Sequence, residues 1–364
     1  MNFDINNVTV RNFRETDVAN IPKWIFEIDG RRASAKFFKS CFNVDPAGCF
    51  IAELPNHEII GICLGLILND DFAFGGSLMV RKEYRRKGVA KLLCDERLKH
   101  VQNRLLGINS VESRIATNIK SGMSCPIFSA QKLIGEINIT DLKKSNNWKQ
   151  GDNKGAIHYI PFLPHLINEQ LLRRIISYDE RIHGICRNIF LRSLFENDEK
   201  IEPNDSNKLD KHDMIGMLAL RLGDDDMMPP IIVNSNYEME NVDYILSHLE
   251  SNPFDILGYG LMYKKYVGWT IAPLYAENEG IALRICLGIL FAFSGIIKVD
   301  ILIPENKTES QLSIVIRNLG LKSEATIYRM HHSNKLEVRN GVDLNPNFLI
   351  ENVYGMTSSS AFFV

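Results

Sequence analysis

The chain has 364 residues, of which 45% are hydrophobic and 24% charged, a composition typical of globular proteins and enough sequence for two domains. Its formal net charge is -2, so the overall balance does not favour nucleic acid or an anionic membrane as partner, and any basic site must be local. The longest apolar runs, at 59–68 and 285–293, are too short to cross a bilayer, and the N-terminal residues lack an apolar core of signal-peptide length. We therefore expect a soluble, cytoplasmic protein.

The residue types that bind metals do not form a recognisable site. The seven cysteines are odd in number and include no C-x-x-C pair, so we expect reduced thiols that pack as small hydrophobic residues. The neighbouring His331 and His332 lie on a predicted strand, where adjacent side chains point to opposite faces, so we expect one buried and one exposed imidazole. No metal site is predicted.

The first 80 residues read as a strand, two helices and a meander. A strand is predicted from Val8 to Phe13, and Asp17 stands where the N-cap of the next helix would lie. A second helix is predicted at 34–42. Three strand-like runs follow, separated by turn residues, at 49–54, 59–68 and 71–80.

A strand-to-helix junction lies at residues 80–90. The helix after it carries Val89, Leu92, Leu93 and Leu98 on one face and charged residues on the other. The predictions that follow are a strand at 105–111, a helix at 114–122 ended by Gly122, and a strand region at 125–137.

Composition changes at residues 141–155, which are polar, rich in lysine and interrupted by glycine. This change predicts a first domain at 1–140, a linker at 141–166 and a second domain at 167–364.

The elements predicted in the second half are helices at 167–182 and 189–196, a loop at 223–230, two strands in 256–277, a helix at 281–295, a strand at 298–303, a helix at 311–320 ended by Gly320, and a strand at 325–332. Their order repeats that of the first half, which indicates an internal duplication.

The stretch YRRKGVAKLL, residues 84–93, has the chemistry of a phosphate-binding turn. The first N–H groups of a helix lack intrahelical partners and carry the positive end of its dipole. Gly88 and Ala90 leave room for close approach, and basic side chains add positive charge. The alternative is a solvated basic face at the start of a surface helix.

Residues 8–137 resemble the GNAT superfamily of N-acetyltransferases, whose acetyl-CoA signature R/Q-x-x-G-x-G/A matches Arg85-x-x-Gly88-x-Ala90. The resemblance implies that backbone amides from Arg86 to Lys91 hold the CoA pyrophosphate, that the end of the preceding strand pairs with pantetheine, and that strands 74–80 and 105–111 run parallel and splay apart. The implied cofactor-binding residues are Leu78, Met79, Val80, Arg85, Arg86, Lys87, Gly88, Val89, Ala90 and Lys91.

The second half is similar to the divergent C-terminal unit of tandem GNAT proteins of the YitH-like type, over residues 177–194, 258–277, 299–306 and 318–330. The fold class implied is α/β (α+β with a mixed sheet), with two GNAT-like units in tandem, each a mostly antiparallel mixed sheet flanked by helices. The second turn, PLYAENEG, is acidic and lacks the signature, so no CoA is predicted there.

The catalytic groups of the family are not matched. The glutamate expected on the third meander strand is absent near Phe74, which leaves Asp71 and Ser77 as weak candidates, and Asn118 replaces the tyrosine that commonly protonates the thiolate. The resemblance implies an acetyl-CoA-dependent N-acetyltransferase, which transfers an acetyl group to a primary amine of a small molecule or peptide by direct attack of that amine on the thioester. The alternative is a CoA-binding sensor or scaffold with weak catalysis. Neither the acceptor nor the oligomeric state follows from the sequence.

Two further sets of residues could have functional roles. Tyr178, Asp179 and Arg187 either line a substrate cleft or include an ion pair that joins two helices. Cys94 is expected to pack in the core.

Overall fold

A computed structural model describes residues 3–144, 157–164, 167–196, 213–222, 249, 253–332 and 350–356. Their thirteen strands form one mixed sheet in the order β1-β2-β3-β4-β5-β12-β6-β11-β10-β9-β8-β7, with β13 beside β10. The strands are β1 Thr9–Asn12, β2 Cys49–Glu53, β3 Ile59–Ile67, β4 Phe72–Val80, β5 Leu105–Val111, β6 Phe128–Asn138, β7 Ile157–Phe162, β8 Met214–Leu222, β9 Phe254–Lys264, β10 Trp269–Ala276, β11 Ile296–Pro304, β12 Lys322–His331 and β13 Val353–Gly355.

Helices cover both faces of this sheet. They are α1 Glu15–Val18, α2 Ile21–Asp29, α3 Ala35–Val44, α4 Val89–Val101, α5 Ile115–Lys120, α6 Ile139–Lys144, α7 Glu169–His183, α8 Asn188–Phe195, α9 Glu279–Phe291 and α10 Gln311–Asn318. Helices α1 to α3 share one core with α7 and α8 on one face. On the other face, α4 packs on β2 to β4 and α9 packs on β8 to β10. The two units are therefore arranged alike, as the repeated element order predicted.

The two units exchange a strand where they meet. Strand β12, late in the chain, lies between β5 and β6 and pairs antiparallel with both. Strand β6 in turn pairs antiparallel with β11. The sheet is thus continuous, and the first unit is completed by a strand from the second half of the chain.

Several predicted details differ from the structure. Asp17 is not an N-cap, because it lies inside α1 and its carboxylate accepts a hydrogen bond from the Arg14 N–H at 2.7 Å. Strand β8 was missed, since its run IGMLALRL is apolar without alternation and reads equally as helix. Helix α9 ends at Phe291 rather than at Gly295.

The predicted linker 141–166 includes the end of α6 and all of β7, and the domain boundary remains a prediction. The predicted loop at 223–230 lies outside the described residues. Cys125 and Cys186 are exposed, so the expectation of packed thiols is wrong for these two cysteines. Of the two adjacent histidines, His331 is buried as expected, whereas His332 is half-buried rather than exposed.

Candidate functional site: a groove between two parallel strands

The turn between β4 and α4 presents unpaired backbone N–H groups. Gly88 is the N-cap of α4, with a left-handed φ of 91°, and no side chain caps this end of the helix. Among the described residues, the N–H groups of residues 86–90 have no acceptor, whereas the N–H of Lys91 already donates to the Gly88 carbonyl at 2.9 Å. A helix N-terminus with open N–H groups is the usual protein site for phosphate oxygens.

The side chains of the turn divide into structural and solvent-facing groups. Arg85 Nε donates to the Val80 carbonyl at 2.9 Å and so fixes the end of β4. Arg86, with a left-handed φ of 62°, is exposed, as are Lys87 and Lys91. Lys91 Nζ pairs with Asp95 Oδ2 at 2.6 Å, and Lys87 Nζ lies 5.1 Å from the centre of the Phe3 ring. These basic side chains keep positive charge near the open N–H groups, although Lys91 and Lys87 already have partners within the first unit.

A groove opens between β4 and β5 below this turn. The two parallel strands pair from Phe72↔Leu105 to Gly75↔Ile108. Beyond Gly75, within the described part of the chain, β4 pairs only with β3. The predicted splaying of these strands is confirmed, and Gly75 marks its apex.

A β-bulge shapes the β4 wall of the groove. The pairing of β3 with β4 shifts register between Ile62↔Met79 and Leu64↔Gly76, and Ser77 in the bulge has a left-handed φ of 50°. A bulge re-aims the backbone groups next to it. Leu78, Met79 and Val80 follow it toward the turn, where their backbone can pair with an extended ligand.

Aromatic and cationic groups line the sheet on the face opposite α4. The Arg329 guanidinium lies 4.8 Å from the centre of the Phe74 ring and 5.6 Å from that of Phe128. Its Nε donates to Asn109 Oδ1 at 3.0 Å. Burial lowers the pKa of Arg329 to about 9. Phe74 thus stands near the position where a glutamate is expected, and Arg329 lies over its ring. No local sequence signal reveals this contact, because β12 comes from the second unit.

The predicted catalytic candidates lie in different places. Ser77 is buried in the bulge, whereas Asp71 is exposed at the closed end of the strand pair, where its carbonyl accepts the Leu105 N–H at 2.8 Å. Asn118 lies on α5 and donates to Ser110 Oγ on β5 at 2.8 Å. Only Ser77 and Asn118 therefore lie near the groove.

The corresponding turn of the second unit is closed by its own side chain. Asn278 is the N-cap of α9 and accepts a hydrogen bond from the Ile281 N–H at 3.0 Å. Glu277 and Glu279 flank it. Carboxylates at this turn repel an anion, in contrast to the basic turn before α4.

Strand β13 fills the groove of the second unit. Parallel pairing of β10 with β11 ends at Ile271↔Ile301, and β13 then pairs with β10 through Leu274↔Gly355 and Tyr275↔Val353. The next residue, Met356, donates its N–H to the Leu302 carbonyl of β11 at 2.8 Å. The chain itself thus occupies, in the second unit, the place between the parted strands, whereas in the first unit no strand of the described residues pairs between β4 and β5 beyond Gly75.

Asp179 and Arg187 form a buried ion pair that joins α7 to the start of α8. Arg187 Nε donates to Asp179 Oδ1 at 2.7 Å, and a second guanidinium nitrogen bonds the other carboxylate oxygen. Tyr259 on β9 also donates to this carboxylate. The pair has side-chain exposures of 1% and 0%, so the interpretation as a structural ion pair is confirmed.

In the first unit the parallel strands part beside a bulge, next to an open helix N-terminus, which is an arrangement that can hold an extended ligand carrying phosphate. A model of the GNAT acetyltransferase family matches residues 15–121, and a model described as an acetyltransferase (GNAT) domain matches residues 245–342. The chain is therefore a tandem protein of the GNAT acetyltransferase type.

Solved structures share this fold at low sequence identity. A candidate acetyltransferase from Pyrococcus horikoshii aligns over 99% of this chain and 98% of its own, with a TM-score of 0.61 and 14% identity. A tandem GNAT protein from the clavulanic acid biosynthesis pathway aligns over 89% and 98%, with a TM-score of 0.53 and 11% identity. Saccharomyces cerevisiae N-myristoyltransferase with bound myristoyl-CoA aligns over 90% and 79%, with a TM-score of 0.52 and 8% identity.

The comparison with curated proteins found no match. Among the helices of the described residues, none combines the length and the apolar character needed to cross a membrane.

Proposed function

We propose that the protein is a cytoplasmic N-acyltransferase that binds acetyl-CoA or a related acyl-CoA in the first unit and transfers the acyl group to a primary amine of a small molecule or peptide. The observation that carries this proposal is the coincidence, within one unit, of the open N–H groups at residues 86–90 and the groove that opens at Gly75. In the second unit both features are closed, by Asn278 and by β13.

The groove suits an extended donor. Pyrophosphate oxygens accept from the N–H groups of the turn, and the pantetheine arm runs along Leu78, Met79 and Val80 as an added strand. In the proposed reaction, a backbone N–H of β4 beside the bulge donates to the thioester oxygen as negative charge develops on it. The acyl carbon then lies near the apex of the groove.

The transfer is a direct attack. The amine nitrogen forms a bond to the thioester carbonyl carbon, the carbon–sulfur bond breaks, and its electron pair leaves with the sulfur. The proton lost by the amine returns, through solvent, to the thiolate, and the products are an amide and free CoA. Ser77, at the bulge, is the candidate for holding a water that relays this proton. Asp71, at the far end of β4, is the less favoured candidate.

A second function is supported by a specific observation. Arg329 stacks on Phe74 where a carboxylate base is expected, and Asn118 stands in place of the tyrosine acid. These substitutions favour a CoA-binding sensor or scaffold that turns over slowly.

Release of free thiol from acetyl-CoA, measured across a panel of amines and amino acids, separates the two functions. An enzyme releases thiol in proportion to one class of amine and yields the matching amide by mass spectrometry. A sensor binds acetyl-CoA by calorimetry without amine-dependent release.

A further inference from the structure

Helix α4 buries a single charged residue under the sheet. Val89, Leu93, Arg97 and Val101, each four residues from the next, form its buried stripe, and Arg97 is only 8% exposed. The sequence predicted an apolar face for this helix and gave no sign of this arginine. A guanidinium in an apolar stripe requires a specific reason, because a buried charge is costly unless it is paired.

The sheet is shaped to receive this side chain. Gly65 on β3 and Gly75 on β4 are directly paired, and neither carries a side chain toward α4. A Cβ at Gly65 would lie 2.4 Å from Arg97 Cγ, and one at Gly75 would lie 2.9 Å from Arg97 Nη1 and 3.0 Å from Ile108 Cγ2. The guanidinium therefore extends across β3 and lies over Gly75, at the apex of the groove between β4 and β5.

The charge of Arg97 is not neutralised by the described residues. Its Nη2 contacts Cys94 Sγ at 3.6 Å, and no carboxylate of the described residues lies within ion-pair distance. Burial raises the pKa of the neighbouring Cys63 thiol to about 12, so this thiol is neutral at physiological pH. Arg97 Nε is buried and has no hydrogen-bond partner among the described residues. An anion at this point would supply the negative charge and the hydrogen-bond acceptor that the described residues do not offer to Arg97.

We propose that the groove accepts CoA thioesters of short dicarboxylic acids, such as malonyl-CoA and succinyl-CoA, and that the terminal carboxylate of the acyl group pairs with Arg97. This inference rests on the proposed function, because it places CoA in the first unit. Arg97 would then be a specificity-determining residue that extends the donor range beyond acetyl-CoA.

The position of Arg97 fits the acyl end of the donor rather than its phosphates. At about 1.5 Å per residue, Arg97 lies about 12 Å along α4 from Val89 at the phosphate turn. At about 3.3 Å per residue, Gly75 lies about 16 Å along β4 from Val80. The guanidinium is thus beside the end of the groove toward which a pantetheine arm anchored at the turn points.

The test compares donors of equal carbon number by calorimetry on the full chain. Succinyl-CoA is paired with butyryl-CoA, malonyl-CoA with propionyl-CoA, and unacylated CoA serves as the reference. A charge-assisted hydrogen bond in this setting predicts that one of the carboxylated donors binds about tenfold or more tightly than its neutral counterpart. In Arg97→Met, which keeps the apolar length of the side chain, that ratio should fall to one or below, and Arg97→Lys should restore part of it.

The outcomes are distinguishable. If unacylated CoA binds but each carboxylated donor binds no more tightly than its neutral counterpart in the wild-type protein, the inference is wrong while the proposed function stands. If the carboxylated donor is preferred equally by wild-type protein and folded Arg97→Met, Arg97 is not the partner. If CoA in no form binds to the folded protein, the proposed function itself fails. The wild-type comparison needs no variant, so it holds even if Arg97→Met does not fold.

Discussion

Replacing Gly88 by aspartate tests the phosphate-binding turn most sharply. Gly88 stands at the N-terminus of α4 with a left-handed φ of 91°. A Cβ built there meets only the Ile5 side chain, at 3.5 Å and 3.6 Å, which is ordinary contact. The substitution therefore places a carboxylate at the open N–H groups without a clash, and we expect the fold to persist.

Two free-energy terms follow from this geometry. A non-glycine residue in the left-handed region costs about 1–2 kcal/mol of stability. A carboxylate about 4 Å from a phosphate charge repels it by about 1 kcal/mol in water and about 4 kcal/mol near a protein surface. A value of about 2 kcal/mol corresponds to a rise of roughly 30-fold in the Kd for CoA.

The assay is calorimetric titration with CoA, supported by urea unfolding to measure stability. Gly88→Asn is the matched control, because it has the same size and the same strained φ but no charge. Gly280→Asp is the second control, since it makes the same substitution in the first turn of α9, the corresponding helix of the second unit, where the nearest side-chain atom to a Cβ is Asn278 Oδ1 at 3.4 Å. We expect Gly88→Asp to bind at least about 30-fold more weakly than wild type, Gly88→Asn to lose less, and Gly280→Asp to bind as wild type.

Equal affinity of folded Gly88→Asp and wild-type protein for CoA would refute the phosphate-turn reasoning. Equal losses in Gly88→Asp and Gly88→Asn would show that strain or bulk, rather than charge, governs the site.

Three other predictions concern the fold. Val353→Asp, at a position 1% exposed in β13, should lower the free energy of unfolding in urea by about 3 kcal/mol or more. Glu351→Ala, at an exposed position just before β13, should change it by less than about 0.5 kcal/mol. Equal values would mean that β13 does not fill the second groove. Arg187→Met should lower the free energy of unfolding by about 3–5 kcal/mol, because it leaves the buried Asp179 carboxylate without its cation. The double variant Asp179→Leu, Arg187→Met should recover part of that loss. Strictly additive losses of stability would contradict the pairing. Burial, followed by the charge of Arg329, lowers the pKa of His331 to about 3 from an ordinary 6.5, so the unfolded chain binds a proton more readily and stability is lost as pH falls from about 6.5 toward 3. Over the first 1.5 pH units this loss is about 2 kcal/mol, and His331→Gln should show a shallower decline in urea unfolding between pH 7 and pH 5; an unchanged slope would show that His331 does not control it.

The local part of the site could be predicted from the sequence because its signals are local. The strand-like runs of the meander and the turn residues between them predict β2 to β4. The run Arg85-x-x-Gly88-x-Ala90 predicts the turn, since a left-handed cap and a close approach both select glycine. The resemblance that these residues carry predicted the splaying of β4 from β5, and the end of their pairing at Gly75↔Ile108 confirms it. The acidic character of the second unit's turn could also be read directly from the run PLYAENEG.

The remaining features depend on contacts between distant parts of the chain. Arg329 reaches Phe74 only because β12 is exchanged between the units. Arg97 is buried because two paired glycines on separate strands make room for it, and helical periodicity assigns a single arginine to the surface by default. Strand β13 has three residues, too few for any periodic signal.

Calorimetry with acetyl-CoA, run beside thiol release on a panel of primary amines, tests the central claim most directly. The proposal predicts that acetyl-CoA binds to wild-type protein at one site, that Gly88→Asp weakens this binding, and that at least one amine class releases free thiol and forms an amide. If the folded wild-type protein binds no CoA thioester, the groove between β4 and β5 is not a donor site and the proposed function is wrong.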